Sequence, residues 1–143
     1  MALAFAIAFS LAYQTEVPPV VMIPRRDPDG EACAILRDLA ARTQADLPLM
    51  ADKITRTDGF SVMCGLRTVT WNKTFLVDLS NFREGWQGRK QAQFSQIVCE
   101  SEAFLPLARR GWRFAMNVTF QSGQRFVLDA DCRGYPDRSS SER

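Results

Sequence analysis

A chain of 143 residues with nearly half of them apolar, ten Phe and three Trp included, has enough material for the core of one domain. Its formal charge of only +2 is spread along the sequence, which argues against the one-sided basic face of a nucleic-acid groove. The lack of any histidine removes Ser-His-Asp and Cys-His nucleophile pairs, His-ligated zinc and the usual near-neutral general base.

Residues 1–12, MALAFAIAFSLA, form an uncharged apolar run too short to span a bilayer. The run reads as the apolar region of an export signal, and Ser10 and Ala12 put small residues where signal peptidase reads them. No Lys or Arg precedes it; the first basic residue is Arg25. Residues 13–29 carry Pro18, Pro19, Pro24 and Pro28 and are expected to be an extended linker. A folded unit is expected over 30–132, followed by a polar, disordered tail over 133–143. The expected location is the bacterial periplasm.

Within the folded unit, Asp29 and Gly30 stand where a helix cap belongs. Ile35, Leu36, Leu39 and Ala40 then recur at helical spacing until Leu47 and Pro48 end the run. Asp58 and Gly59 predict a hairpin turn between strands over 52–57 and 60–70. On the second strand Phe60, Val62, Cys64 and Leu66 would share the inward face. A further short strand is expected over 74–79. Ser80 is placed to cap a helical region carrying Phe82, Trp86, Phe94, Ile97 and Val98 and closed by Cys99. A shorter helix runs to Arg110, with Pro106 in its first turn and Gly111 as its stop. Trp112, Phe114, Met116, Val118 and Phe120 then alternate with mostly polar residues. Ser122 and Gly123 turn the chain into a partner strand whose inner face is Phe126, Leu128, Ala130 and Cys132. The expected fold is a single α+β domain, an antiparallel sheet of four to five strands flanked by helices in the order α-β-β-(β)-α-α-β-β.

Cys33, Cys64, Cys99 and Cys132 are nearly evenly spaced and contain no C-x-x-C, which disfavours a zinc ribbon or a thioredoxin-type redox pair. In an exported chain they read as two disulfides with three possible connectivities. Each half of the chain offers one cysteine on a helix and one on a strand facing it, which selects Cys33–Cys64 and Cys99–Cys132.

Leu47-Pro48 after a helix, Cys99 closing another, then Leu107, Gly111, Gly123 and Cys132 give an order of elements that resembles the small periplasmic pilotins of type II secretion, of the class with a helix-flanked sheet. Uncharacterised periplasmic proteins share the same outline. The resemblance implies that fold, one disulfide from a helix to the last strand, and a role in binding another envelope protein. Two departures stand out: no cysteine precedes Cys33, so no lipid-anchor cysteine follows the apolar run, and the pair Cys33 and Cys64 is additional.

Candidate chemistry is sparse. Asp129 and Asp131 alternate with the inner-face residues of the last strand and read as solubilising carboxylates, while Glu100 and Glu102 suit the start of the short helix. Arg109, Arg110 and Arg113 form the densest basic cluster and suit a helix end. Trp71 and Trp86 are harder to place in the core than Trp112. Trp86, flanked by glycines, reads either as a contact residue or as a lid folded back on the core. Two glycosylation sequons, at Asn72 and Asn117, are treated as coincidence.

The expectation is therefore a non-enzymatic periplasmic interaction module, pilotin-like or chaperone-like. Its partner would be another periplasmic or outer-membrane protein, and Phe82, Trp86, Phe94, Arg109 and Arg110 are its expected contact residues. No metal, cofactor or nucleic acid is called for, and the N-terminal run keeps membrane proximity open. The alternative is an inhibitor or immunity-type protein that blocks a hydrolase with a charged loop over 81–89. A carboxylate-based hydrolase ranks last, because Asp129 and Asp131 face outward.

Overall fold

The computed structural model describes residues 28–136, so the apolar run at 1–12, most of the expected linker and the end of the expected tail lie outside the described residues. The chain order is α1 (Pro28–Ala45), β1 (Leu49–Met50), β2 (Thr55–Met63), β3 (Thr68–Phe75), α2 (Trp86–Glu100), α3 (Leu105–Arg109), β4 (Arg113–Phe120) and β5 (Arg125–Asp129). The five strands form one sheet in sequence order. All neighbours are antiparallel except β3 and β4, which run parallel from Thr68↔Arg113 to Phe75↔Phe120. The sheet is thus mostly antiparallel, as expected, and is mixed only through the β3–β4 pair. Parallel neighbours need a crossover connection, and α2 and α3 supply it.

Pro28 and Asp29, expected to close the linker, are instead the first residues of α1. Proline at the first helical position loses only a donor that would have had no partner, and the acidic residues Asp29 and Glu31 suit the positive end of the helix dipole. Asp29 also ties α1 to the rest of the domain. Its carboxylate accepts the Trp112 Nε1–H at 3.2 Å and pairs with Arg67 at 2.9 Å and with Arg110 at 3.4 Å.

Asp58 and Gly59 make no turn. They lie inside β2, where the register with β3 shifts between Thr57 and Gly59. The Asp58 carboxylate is held by Arg56 and by the Thr74 hydroxyl on the neighbouring strand. A Cβ on Gly59 would sit 3.0 Å from Asn72 Nδ2, so glycine serves a close side-chain approach at a bulge. The hairpin turns instead at a 3-10 segment, Cys64–Leu66, ending in Arg67 at φ 47°. Consequently the strand expected over 60–70 is split in two, Leu66 is exposed, and the strand expected over 74–79 has its first two residues in β3. Ser80 caps no long helix: it sits in a 3-10 turn, Leu79–Asn81, and α2 begins only at Trp86. Gly111 sits at φ 90°, a left-handed conformation that stops α3 and turns the chain into β4.

All three helices pack on one face of the sheet. Leu36 of α1, Phe94 and Val98 of α2 and Leu107 of α3 meet Phe60, Val69 and Phe114 in the main core. A second cluster of Phe75, Val118, Phe120 and Leu128 lies at the other end, with Phe82, Trp86 and Phe126 packed against it. Both disulfides form as expected, Cys33–Cys64 with Cα atoms 5.8 Å apart and Cys99–Cys132 with Cα atoms 5.4 Å apart. The first pins the N-terminal half of α1 to the β2–β3 turn. The second pins the end of α2 to the chain just beyond β5.

Candidate functional site

Because α1 lies over β2 and α2 lies towards β5, the middle of the sheet is covered unevenly. On the helix-bearing face of β3 and β4, Val69, Phe75, Phe114, Val118 and Phe120 are buried, whereas Trp71, Lys73 and Met116 between them are only half-buried. These three mark a gap between the two helices. It is an apolar groove of about 290 Å³ with a floor of Phe60, Trp71, Lys73 and Met116. Leu39 and Thr43 of α1 form one wall, Phe94 and Ile97 of α2 the other, and Phe104 closes an end. Past Lys73 it continues into a smaller recess of about 110 Å³, bounded by Asp52, Thr55, Phe75, Lys90 and Gln93.

The rims are unusually apolar for a surface. Leu39 is 40% and Ile97 60% exposed, although both flank a concavity where burial was available. The floor is rigid: the Trp71 ring packs edge-on against Phe60 at 4.9 Å, Phe94 at 5.5 Å and Phe104 at 5.8 Å. On the α1 side Ala40 packs against the core, and the small Thr43 lines the groove.

Lys73 is the polar feature of this floor. It occupies an inward position of β3, in register with Val118, and among the described residues its amine makes no hydrogen bond or ion pair. Burial pushes its pKa below the usual lysine value, and the like charge of Lys90 adds to that, while Asp52 opposes it. The Asp52 Oδ1 accepts the backbone N–H groups of Ile54 at 2.8 Å and Thr55 at 2.7 Å at the turn into β2. The Ile54 hydrogen bond holds the Asp52 carboxyl below the ordinary carboxylate range. Lys90 sits at the recess with its ammonium 5.7 Å from the centre of the Phe75 ring.

The residues expected from sequence to contact a partner are not brought together. Phe94 is 3% exposed, so its ring is a buried wall of the groove with little surface left for a partner. Phe82 and Trp86 belong to the second aromatic cluster. Trp86 lies 5.0 Å from Phe120 and 5.1 Å from Phe126, which makes it a lid on the core. Arg109 donates to the Tyr135 carbonyl at 3.0 Å and Arg110 pairs with Asp29, both at the end of the domain that holds α3. The charged loop expected over 81–89 is in part helix, since α2 takes in its residues from Trp86 on; there Arg89 donates to the carbonyls of Glu84 and Arg83 at 2.9 and 3.2 Å. Asp129 is held in two hydrogen bonds by Arg113 at 2.6 and 3.1 Å. Arg133 holds Asp131 and draws its pKa down to about 2, so each carboxylate has its own guanidinium. Residues 133–136, expected to begin the disordered tail, include a turn closed by Tyr135 N–H on the Cys132 carbonyl.

Sequence reasoning singled out neither Lys73 nor the pair Leu39 and Ile97 as a site. The signal for Lys73 was present: a lysine two residues from Trp71 and two from Phe75 in an alternating strand must point inward with them.

No known family model and no curated protein matches the sequence. Solved structures do share the fold. A candidate secreted protein from Pseudomonas aeruginosa superposes with a TM-score of 0.59 at 16% identity, over 73% of this chain and 96% of the other. The pilotin of the Vibrio vulnificus type 2 secretion system, EpsS, gives a TM-score of 0.58 at 11% identity, over 77% of this chain and 96% of the pilotin. The type II secretion system pilotin AspS from Vibrio cholerae gives 0.52 at 13% identity, over 73% and 92%. The domain has a pilotin-like fold.

Proposed function

We propose that this chain is a non-enzymatic interaction module of the bacterial envelope that binds a segment of another protein in the groove between α1 and α2. The observation that carries the reading is the pairing of a rigid aromatic floor with exposed Leu39 and Ile97 rims. Exposed apolar rims continuous with an apolar concavity form one patch, and such a patch is a common mark of a binding site. An amphipathic helix laid into a groove is a recurrent way of covering them. That two pilotins share the fold supports a secretion-related adaptor role, and two disulfides support folding outside the reducing cytoplasm. In this reading residues 1–12 direct export, the following segment spaces the domain from the membrane, and the partner is a periplasmic or outer-membrane protein.

The test is retention of an envelope protein by the immobilised full chain, compared with an Ile97→Glu variant of unchanged thermal unfolding. The proposal expects the variant to lose the retained protein. Equal retention by both would refute groove binding.

A further inference from the structure

Leu39, Ile97 and the aromatic floor account for an apolar occupant but not for Lys73. An ammonium placed among Phe60, Trp71 and Met116 gives up hydration, and among the described residues it receives no hydrogen bond or ion pair in exchange. The nearby carboxylate of Asp52, whose Oδ1 accepts two backbone N–H groups, acts on it only from a distance and makes no ion pair with it. Lys90 brings a second cation to the same recess, so the charge balance where the groove narrows is positive. Thr43, Thr55 and Gln93 are the remaining polar side chains along the walls. A purely apolar ligand would leave the Lys73 ammonium still more deeply desolvated and unpaired, which is the costly way to fill this site.

Resting on the groove-binding reading above, we infer that the occupant is an amphipathic peptide segment with one acidic side chain, whose carboxylate pairs with Lys73 and is flanked by Lys90. The apolar residues of the segment cover Leu39, Trp71 and Ile97, and its carboxylate enters where the groove narrows. Lys73 then sets specificity, because a segment lacking the acid leaves the buried ammonium without a partner. The pair also fixes the register in which the segment lies.

The experiment uses a displayed library of random peptides panned against the oxidised full chain. The strongest binders are synthesised with their acidic residue intact and as the matching amide, Glu to Gln or Asp to Asn. Affinities are measured by calorimetry against the wild type, Lys73→Met, Lys73→Arg and Ile97→Glu, each checked for unchanged unfolding. The expected result is selection of acid-containing peptides whose amide forms bind about tenfold more weakly to the wild type. Lys73→Met erases that difference and Lys73→Arg preserves most of it. Peptides that need Ile97 but bind equally as acid or amide, or whose acid dependence survives in Lys73→Met, overturn the inference and leave groove binding standing. Binders indifferent to Ile97→Glu, or no binders at all, overturn both. Should Lys73→Met not fold, Lys90→Met together with Lys73→Arg decides the matter: acid dependence that Lys90→Met abolishes places the carboxylate on Lys90 and overturns the inference, whereas acid dependence that survives both variants supports it.

Discussion

Replacing Lys73 by Met keeps an unbranched side chain on the groove floor and removes only the ammonium. The lysine pKa is lowered chiefly by burial and further by Lys90, so the folded state holds this proton less firmly than the unfolded chain does. Between the folded and unfolded pKa values the unfolded chain therefore binds more protons, and stability rises with pH across that window. Below that window, where the lysine is protonated in both states, the whole cost is present. Removing it should stabilise the domain. The amine is half-buried, and a flexible stem lets it lean towards the recess, so the gain is set at about 1 kcal/mol, well short of the several kcal/mol that full burial of an ion costs. For a domain of this size that raises Tm by about 4 °C. The assay is thermal unfolding by circular dichroism of wild type and Lys73→Met at neutral pH and again above pH 10. The difference should be largest at neutral pH and shrink as the wild-type lysine deprotonates. A variant that is less stable than the wild type at neutral pH, or a difference that grows with pH, would refute the account of Lys73 as a desolvated cation.

Two further outcomes test the frame around the groove. Each disulfide joins residues 31 or 33 positions apart, so Cys33→Ser with Cys64→Ser should lower stability by about 3–4 kcal/mol on the chain-entropy model. Urea unfolding measures this, and hydrogen exchange should locate the loosening in α1, which the bond pins. Gly59→Ala should cost about 1–2 kcal/mol, because its Cβ would press on Asn72 and disturb the Asn117 Nδ2–H to Asn72 Oδ1 hydrogen bond of 2.9 Å. A neutral result in the same unfolding assay would mean that the bulge can relax.

The last hairpin was legible because period-2 alternation runs unbroken through Phe114, Met116, Val118 and Phe120, and the buried face of β4 follows it. The cysteine pairing was legible for a coarser reason: it needed only the rough order of helices and strands. Its detailed rationale did not hold, since Cys64 lies in the turn after β2 and Cys132 lies beyond β5, and neither is on a strand. Asp58 and Gly59 misled because the same dipeptide suits a hairpin turn and a bulge. Only the partner strand decides between them, here through Asn72 and Thr74. The parallel β3–β4 pairing was hidden for a similar reason, as strand direction is fixed by where the crossover helices return the chain.

The candidate site was less legible than the fold, and the cause lies in what makes it a site. Contact residues were sought by exposure and aromatic content, which favoured Phe82, Trp86 and Phe94. Aromatic residues are also what a core collects first, and all three were claimed by packing. The groove is defined by the opposite property, a shortfall of packing. The N-terminal half of α1 is fastened to the sheet by Cys33 and Asp29, its C-terminal half carries Ala40 and Thr43 where larger residues would fill the space, and β3 contributes a lysine where its neighbours are aromatic. The fastening adds stability, whereas Thr43 and Lys73 leave space that a larger apolar side chain would fill. On the groove-binding proposal, this shortfall of packing is the space that the partner's segment fills.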